Sequence, residues 1–256
     1  MGTPASPLAL PEVSFSDDGE VRHLHLDSPW IQGSMRIKSP FDIELEYVQR
    51  MMAWLLFREA DTVAGLKAMQ LGLGAGALTK FCFKKLKMHT TAVELNPQVL
   101  QACRLWFKLP PDSERLQVVL ADAGREIKHD RHLATVDALQ VDLYDQEAAA
   151  PVLDSEAFYS DCRRLLTDEG VMTVNLFGRD ASFERSIGQM VAAFGEQAVW
   201  AFGPTREGNT VVLAQRQVSR PERPVLVRRA EAIATLWGLP APKWLRLLKP
   251  WDARAG

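Results

Sequence analysis

The chain has 256 residues, of which 47% are hydrophobic and 24% are charged, with 30 basic and 32 acidic side chains and a net charge of −2. This length can bury a full core without disulfides or metals, and the charge balance argues against a bulk nucleic-acid binder, which would carry a strong basic excess. No apolar run predicts a transmembrane helix, and residues 1–11 lack the pattern of a secretory signal. The cysteines form no paired motif, so a cytoplasmic location is expected.

Residues 1–64 combine a polar arm with one predicted helix. Apolar residues alternate with polar ones over 21–26, as in a short strand or hairpin arm. Apolar positions at helical spacing predict a helix over 42–58, with Asp42 as its cap and acidic residues in its first turn. We therefore assign 1–64 as an arm and a helix that precede the main domain.

Strand and helix patterns alternate from residue 65 to residue 215. Strands are predicted near 68–73, 89–94, 116–120, 138–141, 170–176, 198–202 and 210–214. Helices are predicted near 78–86, 97–107, 123–128, 155–166 and 183–194. This alternation indicates an α/β domain over 65–215 with a Rossmann-like, seven-stranded, mostly parallel sheet.

Residues 216–256 form a basic tail that is rich in tryptophan. The tail has nine basic against three acidic residues, and Trp237, Trp244 and Trp251 are spaced seven residues apart. One interpretation is an arm that packs over the domain, with its basic groups solvated. The other is a contact surface for a partner, an anionic membrane or nucleic acid, since basic and aromatic residues together suit all three.

A glycine loop stands between the first predicted strand and helix of the main domain. Gly72, Gly74 and Gly76 allow a tight turn and a close approach of the backbone to a ligand, and the following helix offers free N–H groups. The G-x-G-x-G spacing differs from the dinucleotide pattern G-x-G-x-x-G, and the P-loop motif is absent. The loop therefore favours an adenosyl sulfonium ligand over NAD or ATP.

Acidic residues follow the next two predicted strands. Glu94 lies 18 residues after Gly76, where a carboxylate usually binds the two ribose hydroxyls of a nucleoside. Asp122 and Ala123 follow the next strand, where the carboxylate can accept the adenine amino hydrogen. Taken singly, either acid could instead cap the following helix. Together they predict a nucleoside site.

Two further carboxylates, Asp142 and Asp145, follow the fourth predicted strand. They stand at the carboxyl edge of the sheet, where open α/β sheets bind ligands. Such a pair can hold a cationic amine, and one of its members can accept the proton of the amine during attack on carbon. A helix cap and a solvated acid are the alternative interpretation.

On the basis of these motifs, residues 71–214 resemble the spermidine synthase family of aminopropyltransferases, which has the class I SAM-methyltransferase-like fold. The resemblance is carried by the glycine loop, the acid after the third strand and the segments 93–97, 142–145, 156–159 and 203–205. It implies a transferase of polyamine biosynthesis that moves an aminopropyl group from decarboxylated S-adenosylmethionine to an amine. The alternatives are a methyltransferase that uses S-adenosylmethionine and a non-catalytic nucleoside-binding or interaction protein.

The resemblance also implies roles for individual residues. Asp142 matches the proposed base of the family, and Asp145 matches an acid that helps hold the amine. Glu94 matches the acid that binds ribose, and Asp122 matches the one that binds adenine.

Gln32 and Tyr47 are similar to a ligand glutamine and an amine-contacting tyrosine of the family, whereas Ala75 and Arg206 depart from its pattern. Ala75 stands where the family has an aspartate that contacts the aminopropyl amine, and Arg206 replaces a tyrosine that lines the polyamine site. A guanidinium beside this site would repel a polyamine. Both changes weaken the case for putrescine as acceptor and leave the adenosine site untouched.

The expected partner is therefore a small-molecule amine, and a homodimer is allowed. The histidine pairs at 23 and 25 and at 129 and 132 have no third ligand near them in sequence, so no metal site is predicted.

Overall fold

Eleven strands and eight α-helices are present in the computed structural model, which describes residues 10–143, 153–177 and 181–252. The strands are β1 Val13–Asp18, β2 Val21–Leu26, β3 Gly33–Arg36, β4 Lys67–Leu71, β5 His89–Glu94, β6 Leu116–Leu120, β7 Val136–Val141, β8 Leu166–Phe177, β9 Val199–Ala201, β10 Asn209–Gln215 and β11 Lys249–Pro250. The α-helices are α1 Glu46–Arg50, α2 Ala77–Lys84, α3 Pro97–Trp106, α4 Ala123–Glu126, α5 Glu156–Leu165, α6 Ala181–Phe194, α7 Arg223–Trp237 and α8 Ala241–Leu247.

Eight strands form the main sheet, in the order β11-β9-β10-β8-β7-β4-β5-β6. Neighbours from β8 to β6 are parallel, and β10 runs antiparallel to β8 and β9. The predicted α/β fold with a mostly parallel sheet is confirmed, but the sheet has eight strands instead of seven. The additional strand is β11, whose two residues pair with β9. A two-residue strand that contains a proline gives no strand pattern in the sequence.

Both faces of the main sheet are covered. Ala68 and Val171 belong to an apolar cluster on one face, whereas their neighbours Met69 and Met172 belong to a second cluster on the other face. Successive side chains of a strand point to opposite faces, so this alternation means that the central strands are buried on both sides. Such burial explains why these strands read as continuous apolar runs.

The chain order reverses between β4 and its two neighbours, β5 and β7. A crevice forms outside the carboxyl ends of the strands at such a switch point, and ligands of open α/β sheets bind there. The first turn after β4 is the predicted glycine loop. The topology therefore places that loop at the centre of the ligand-binding edge.

The N-terminal region packs over the glycine loop. β1, β2 and β3 form a three-stranded antiparallel sheet, and Leu24 and Met35 of this sheet share an apolar cluster with Leu73 and Phe107. This small sheet therefore closes one side of the ligand-binding edge.

The single helix predicted over 42–58 is wrong, because α1 ends at Arg50 and a separate 3₁₀ segment follows over Ala53–Phe57. The Met51 carbonyl accepts a hydrogen bond from the Thr173 hydroxyl at 3.1 Å. A carbonyl engaged by the sheet is drawn out of the helical ladder, and this bond accounts for the break.

The tail packs against the N-terminal region. Trp244 is 2% exposed and lies in the same apolar cluster as Trp54. Glu59 accepts hydrogen bonds from Arg228 and Arg229. The tail thus behaves as a packing arm over residues 216–252. Within the described ranges, no helix is long and apolar enough to cross a bilayer.

Candidate active site

A cavity of about 730 Å³ opens at the carboxyl edge of the main sheet. The residues that follow β4, β5, β6 and β7 line it, together with the end of β8, the start of β10 and the segment from β2 to α1. The predicted sites on separate strands therefore face one common space.

The glycines of the loop have two different roles. Gly72 and Gly74 line the cavity with positive φ angles of 91° and 49°. A Cβ on Gly72 would overlap the Asp142 carbonyl oxygen, and one on Gly74 would lie 2.9 Å from the Gln32 carbonyl oxygen. Gly76 is not a lining residue; it is the N-cap of α2, with φ of 67°. The first two glycines allow neighbouring backbone segments to pack closely at the cavity, and the third starts the helix.

Glu94 faces the cavity and is held by the backbone. Its carboxylate accepts hydrogen bonds from the Leu73 N–H at 3.0 Å and the Asn96 N–H at 2.8 Å. Burial raises the pKa of Glu94, and the backbone hydrogen bonds lower it. The glycine loop and the end of β5 are thereby joined through this one side chain.

Asp122 caps a helix and also lies at the cavity. Its side chain caps α4 by accepting a hydrogen bond from the Arg125 N–H at 2.9 Å. Asp122 and Ala123 also line the cavity. The capping hydrogen bond therefore fixes the orientation of a carboxylate of a cavity-lining residue.

Asp142 is the centre of a chain of side-chain hydrogen bonds. It accepts one from the Tyr47 hydroxyl at 3.3 Å and one from the Asn175 amide at 2.9 Å. Asn209 in turn donates to the Asn175 side-chain oxygen at 3.1 Å. Burial raises the pKa of Asp142, whereas the hydrogen bonds from Asn175 and Tyr47 lower it. The result is an oriented carboxylate with increased basicity.

Gln32 and Tyr47 both line the cavity, as the resemblance implies. The Gln32 side-chain amide nitrogen is buried and has no hydrogen-bond partner among the described atoms. A buried donor without a partner is costly, so this amide is suited to an acceptor atom of a ligand. Asp145 lies outside the described residues.

Three carboxylates at the cavity were missed at the sequence level: Glu44, Glu46 and Glu207. Glu44 and Glu46 had been assigned to the first turn of a predicted helix. Glu207 directly follows Arg206, and only the positive charge of Arg206 was considered there. The described lining has no Lys, Arg or His. Its ionisable residues other than tyrosine are the six carboxylates of Glu44, Glu46, Glu94, Asp122, Asp142 and Glu207.

Neither of the two residues that depart from the family pattern lines the cavity. Ala75 is 2% exposed and does not line the cavity, because β3 packs on it so closely that a Cβ on Gly33 would lie 2.8 Å from the Ala75 Cβ. Arg206 is exposed and also lies outside the lining. The residue of this turn that lines the cavity is Glu207, which directly follows Arg206.

The histidines serve local contacts. His132 contacts Glu126 at 2.8 Å, and His23 contacts the Ser34 hydroxyl at 2.7 Å. No group of three metal-ligating side chains occurs in the part of the chain that the structure describes.

The strand order and the carboxylates at successive strand ends define the class I methyltransferase-like fold. No family model matches the sequence. The chain is 34% identical over 243 residues to a polyamine aminopropyltransferase of Neisseria meningitidis serogroup A, covering 94% of this chain and 90% of the relative. It is 32% identical, with the same coverage, to a polyamine aminopropyltransferase of Chromobacterium violaceum.

A solved structure of a probable spermidine synthase from Corynebacterium glutamicum matches with a TM-score of 0.70 and 16% identity. The match covers 94% of this chain and 93% of that one, and it supports the fold. The chain belongs to the polyamine aminopropyltransferase family. The predicted family and the predicted aminopropyltransferase-type enzyme are thus confirmed.

Proposed function

We propose that this enzyme transfers the aminopropyl group of decarboxylated S-adenosylmethionine to a small amine. The observation that carries the proposal is the charge of the cavity, whose described lining has six carboxylates and no basic side chain. Glu44 and Glu46 are ion-paired with Arg36 and Arg50, which lie outside the lining, and the other four carboxylates form no ion pair with a described residue. The donor brings a sulfonium and an ammonium group, and the acceptor is also a cation. A negative cavity attracts both substrates.

The same charge pattern disfavours intact S-adenosylmethionine. That molecule carries a carboxylate, which would enter a negative cavity with no cation in the described lining to pair with it. The methyltransferase alternative is therefore less well supported than aminopropyl transfer.

We propose that the donor lies along β4, β5 and β6. In this arrangement Asp122 accepts the adenine amino hydrogen and Glu94 binds the ribose hydroxyls, which is supported by the position of both residues in the cavity lining. Gly72 and Gly74 allow the backbone to approach the sulfonium end. The free amide of Gln32 supplies one more donor to this substrate.

We propose Asp142 as the base. Asp142 first takes a proton from the ammonium group of the acceptor, which leaves a neutral amine. The amine nitrogen then attacks the carbon next to the sulfonium; the new C–N bond forms as the C–S bond breaks, and the sulfur leaves as a neutral thioether. Tyr47 and Asn175 hold the Asp142 carboxylate in place. Asp145 is proposed to help hold the amine. Because the sulfonium is already activated, proximity and orientation supply much of the acceleration.

Calorimetry and a transfer assay test this proposal. We expect the purified protein to bind decarboxylated S-adenosylmethionine more tightly than the intact form, and mass spectrometry to detect aminopropylated amine. Preference for the intact form with methylated product would favour the methyltransferase. Nucleoside binding without transfer to any amine would favour the non-catalytic alternative.

The remaining predictions concern organisation and location. We propose 65–215 as the transferase domain, with 1–64 and 216–256 as flanking segments. Three free, buried cysteines support a reducing, cytoplasmic environment, which cell fractionation would test. The homodimer stays a prediction for light scattering.

A further inference from the structure

Three polar side chains form a row inside the main sheet. Gln70, Gln140 and Thr173 are fully buried and are register partners on the adjacent strands β4, β7 and β8. The Gln70 amide donates to the Gln140 side-chain oxygen at 2.8 Å. Polar groups in a core need partners to offset the loss of water, and apolar side chains of similar shape would stabilise the core at least as well. The contacts that this polar row makes outside the sheet are therefore informative.

Two members of the polar row donate to the same carbonyl, that of Met51. The Thr173 hydroxyl donates to it at 3.1 Å and the Gln140 amide at 3.4 Å. Met51 is the C-cap of α1, and its N–H donates to the Tyr47 carbonyl at 2.9 Å within the helix. The polar row thus attaches the end of α1 to the centre of the sheet.

This attachment lies close to the proposed base. Asp142 follows Gln140 by two residues, and Asn175 follows Thr173 by two, so both lie on the sheet face of the polar row, roughly 7 Å nearer the carboxyl ends of the strands. Tyr47 of α1 donates from its hydroxyl to Asp142 at 3.3 Å. One face of the sheet therefore carries the proposed base directly and holds the tyrosine through α1.

The position of α1 depends on its contacts with the rest of the fold, because a helix of five residues is not stable by itself. Arg50 donates to the Gly203 carbonyl at 2.6 Å and so connects α1 to the segment after β9. The Met51 carbonyl connects it to β7 and β8. Since β7 leads directly to Asp142, the second connection is the one that relates α1 to the proposed base.

We propose that Thr173, supported by Gln140, is a positioning residue that places the Tyr47 hydroxyl on Asp142. The inference rests on the proposed function, because it takes Asp142 as the base. Thr173 holds the Met51 carbonyl, this carbonyl fixes the end of α1, and α1 carries the tyrosine. Neither Thr173 nor Gln140 belongs to the described cavity lining, so an effect of either on turnover passes through these contacts.

Thr173→Val tests the proposal, because valine fills nearly the same space and cannot donate a hydrogen bond. We expect kcat to fall about tenfold. In a Tyr47→Phe background the same substitution should lower kcat no further, because the contact that Thr173 positions is already absent. Thr173→Ser keeps the hydroxyl and should restore most of the turnover. An equal fall of kcat in both backgrounds would overturn the proposal.

Thr79→Val is the matched control. Thr79 is also buried in this core, and its hydroxyl donates to the Gln70 side-chain oxygen at 3.4 Å, at the end of the polar row away from Met51. Its kcat should stay close to the wild-type value, and thermal unfolding should show both valine variants folded. Equal losses of kcat in the two valine variants would assign the effect to the core as a whole and refute the positioning role.

A spectroscopic measurement decides the proposal without turnover. The chain has three tyrosines, so labelling the ring carbon that bears the hydroxyl gives three NMR signals, of which Tyr47→Phe identifies one. Asp142→Asn should shift the Tyr47 signal in the wild-type background and shift it much less in the Thr173→Val background. No shift in the first background, or an equal shift in both, would contradict the inference. The result holds even when no amine is aminopropylated, so failure of the proposed function is a separate outcome.

Discussion

The two halves of the cavity are built in different ways. In the half that we propose to bind the donor (the donor half), Glu94 and Asp122 are held by backbone N–H groups within a few residues or at the adjacent loop. In the acceptor half, Asp142 is held by the side chains of Tyr47 and Asn175, which lie far from it in sequence. The donor half is thus a set of local motifs, and the acceptor half is a network assembled by the fold.

This difference indicates which half can change its ligand. A carboxylate fixed by backbone groups keeps its place when distant side chains change, so nucleoside recognition is robust. A network of side chains changes whenever one member is substituted, so acceptor specificity is open to variation. Ala75 and Arg206 are the positions at which the chain departs from the family pattern.

The largest expected effect comes from the centre of the acceptor half. Asp142→Asn should lower kcat roughly a thousandfold because the base is lost, while binding of 5′-methylthioadenosine to the donor half stays close to the wild-type value. Burial raises the pKa of Asp142. Ionisation of this carboxyl group therefore destabilises the folded state once the pH exceeds the normal carboxyl range. Asp142→Asn should accordingly be more stable than the wild type at neutral pH. Steady-state kinetics, calorimetry and urea unfolding measure the three effects. Turnover retained by this variant would remove Asp142 as the base.

The donor half should respond in binding. Glu94→Gln should weaken binding of 5′-methylthioadenosine about 30-fold, because a carboxylate acceptor is lost and the new amide meets the N–H groups of Leu73 or Asn96. Asp122→Asn, which preserves a capping side chain, serves as the milder control. Calorimetric titration of both variants is the measurement, and wild-type affinity in Glu94→Gln would contradict the assignment of the ribose contact.

A buried cation beneath the donor half should affect stability. Lys80 donates to the Phe107 carbonyl at 2.7 Å, and burial lowers its pKa from 10.5 to about 8. Since the folded-state pKa is the lower one, the unfolded chain binds more protons between these values, and stability should rise from pH 8 to 10.5.

Lys80→Met should remove this dependence and raise the unfolding free energy at pH 7 by about 2 kcal/mol. Urea unfolding at pH 7 and pH 9.5 checks both effects. A pH dependence that persists unchanged in the variant would assign it to another group.

The smallest expected effect tests the network around the base. Asn175→Leu removes a hydrogen bond that lowers the pKa of Asp142, so the base is protonated at higher pH. We expect kcat/KM at neutral pH to fall about tenfold, with the acidic limb of the pH profile moving upward. Loss of activity without a shift of that limb would mean that Asn175 only fills space.

The sequence predicted Glu94, Asp122 and Asp142, which all line the cavity, but it did not predict Glu207 or the hydrogen bond from Asn175 that orients Asp142. Glycine spacing and acids at strand ends are local signals, and they predicted Gly72, Glu94 and Asp122 as lining residues. Whether Arg206 or Glu207 faces the cavity depends on the hydrogen bonds of a turn, which no pattern in the sequence specifies. Asn175 had one usable signal, because a polar amide inside a buried strand needs a partner.

The packing of residues 216–252 also has a consequence for the synthesis of this protein on the ribosome. These residues are translated after both halves of the cavity, yet α8 contributes Trp244 to the core beneath the main sheet, and β11 completes its edge. A nascent chain on the ribosome therefore exposes a large apolar face until this last described segment emerges, and domains in that state are prone to aggregation. Chaperone dependence during synthesis should accordingly be set by the tail, although it contributes no described residue to the cavity lining.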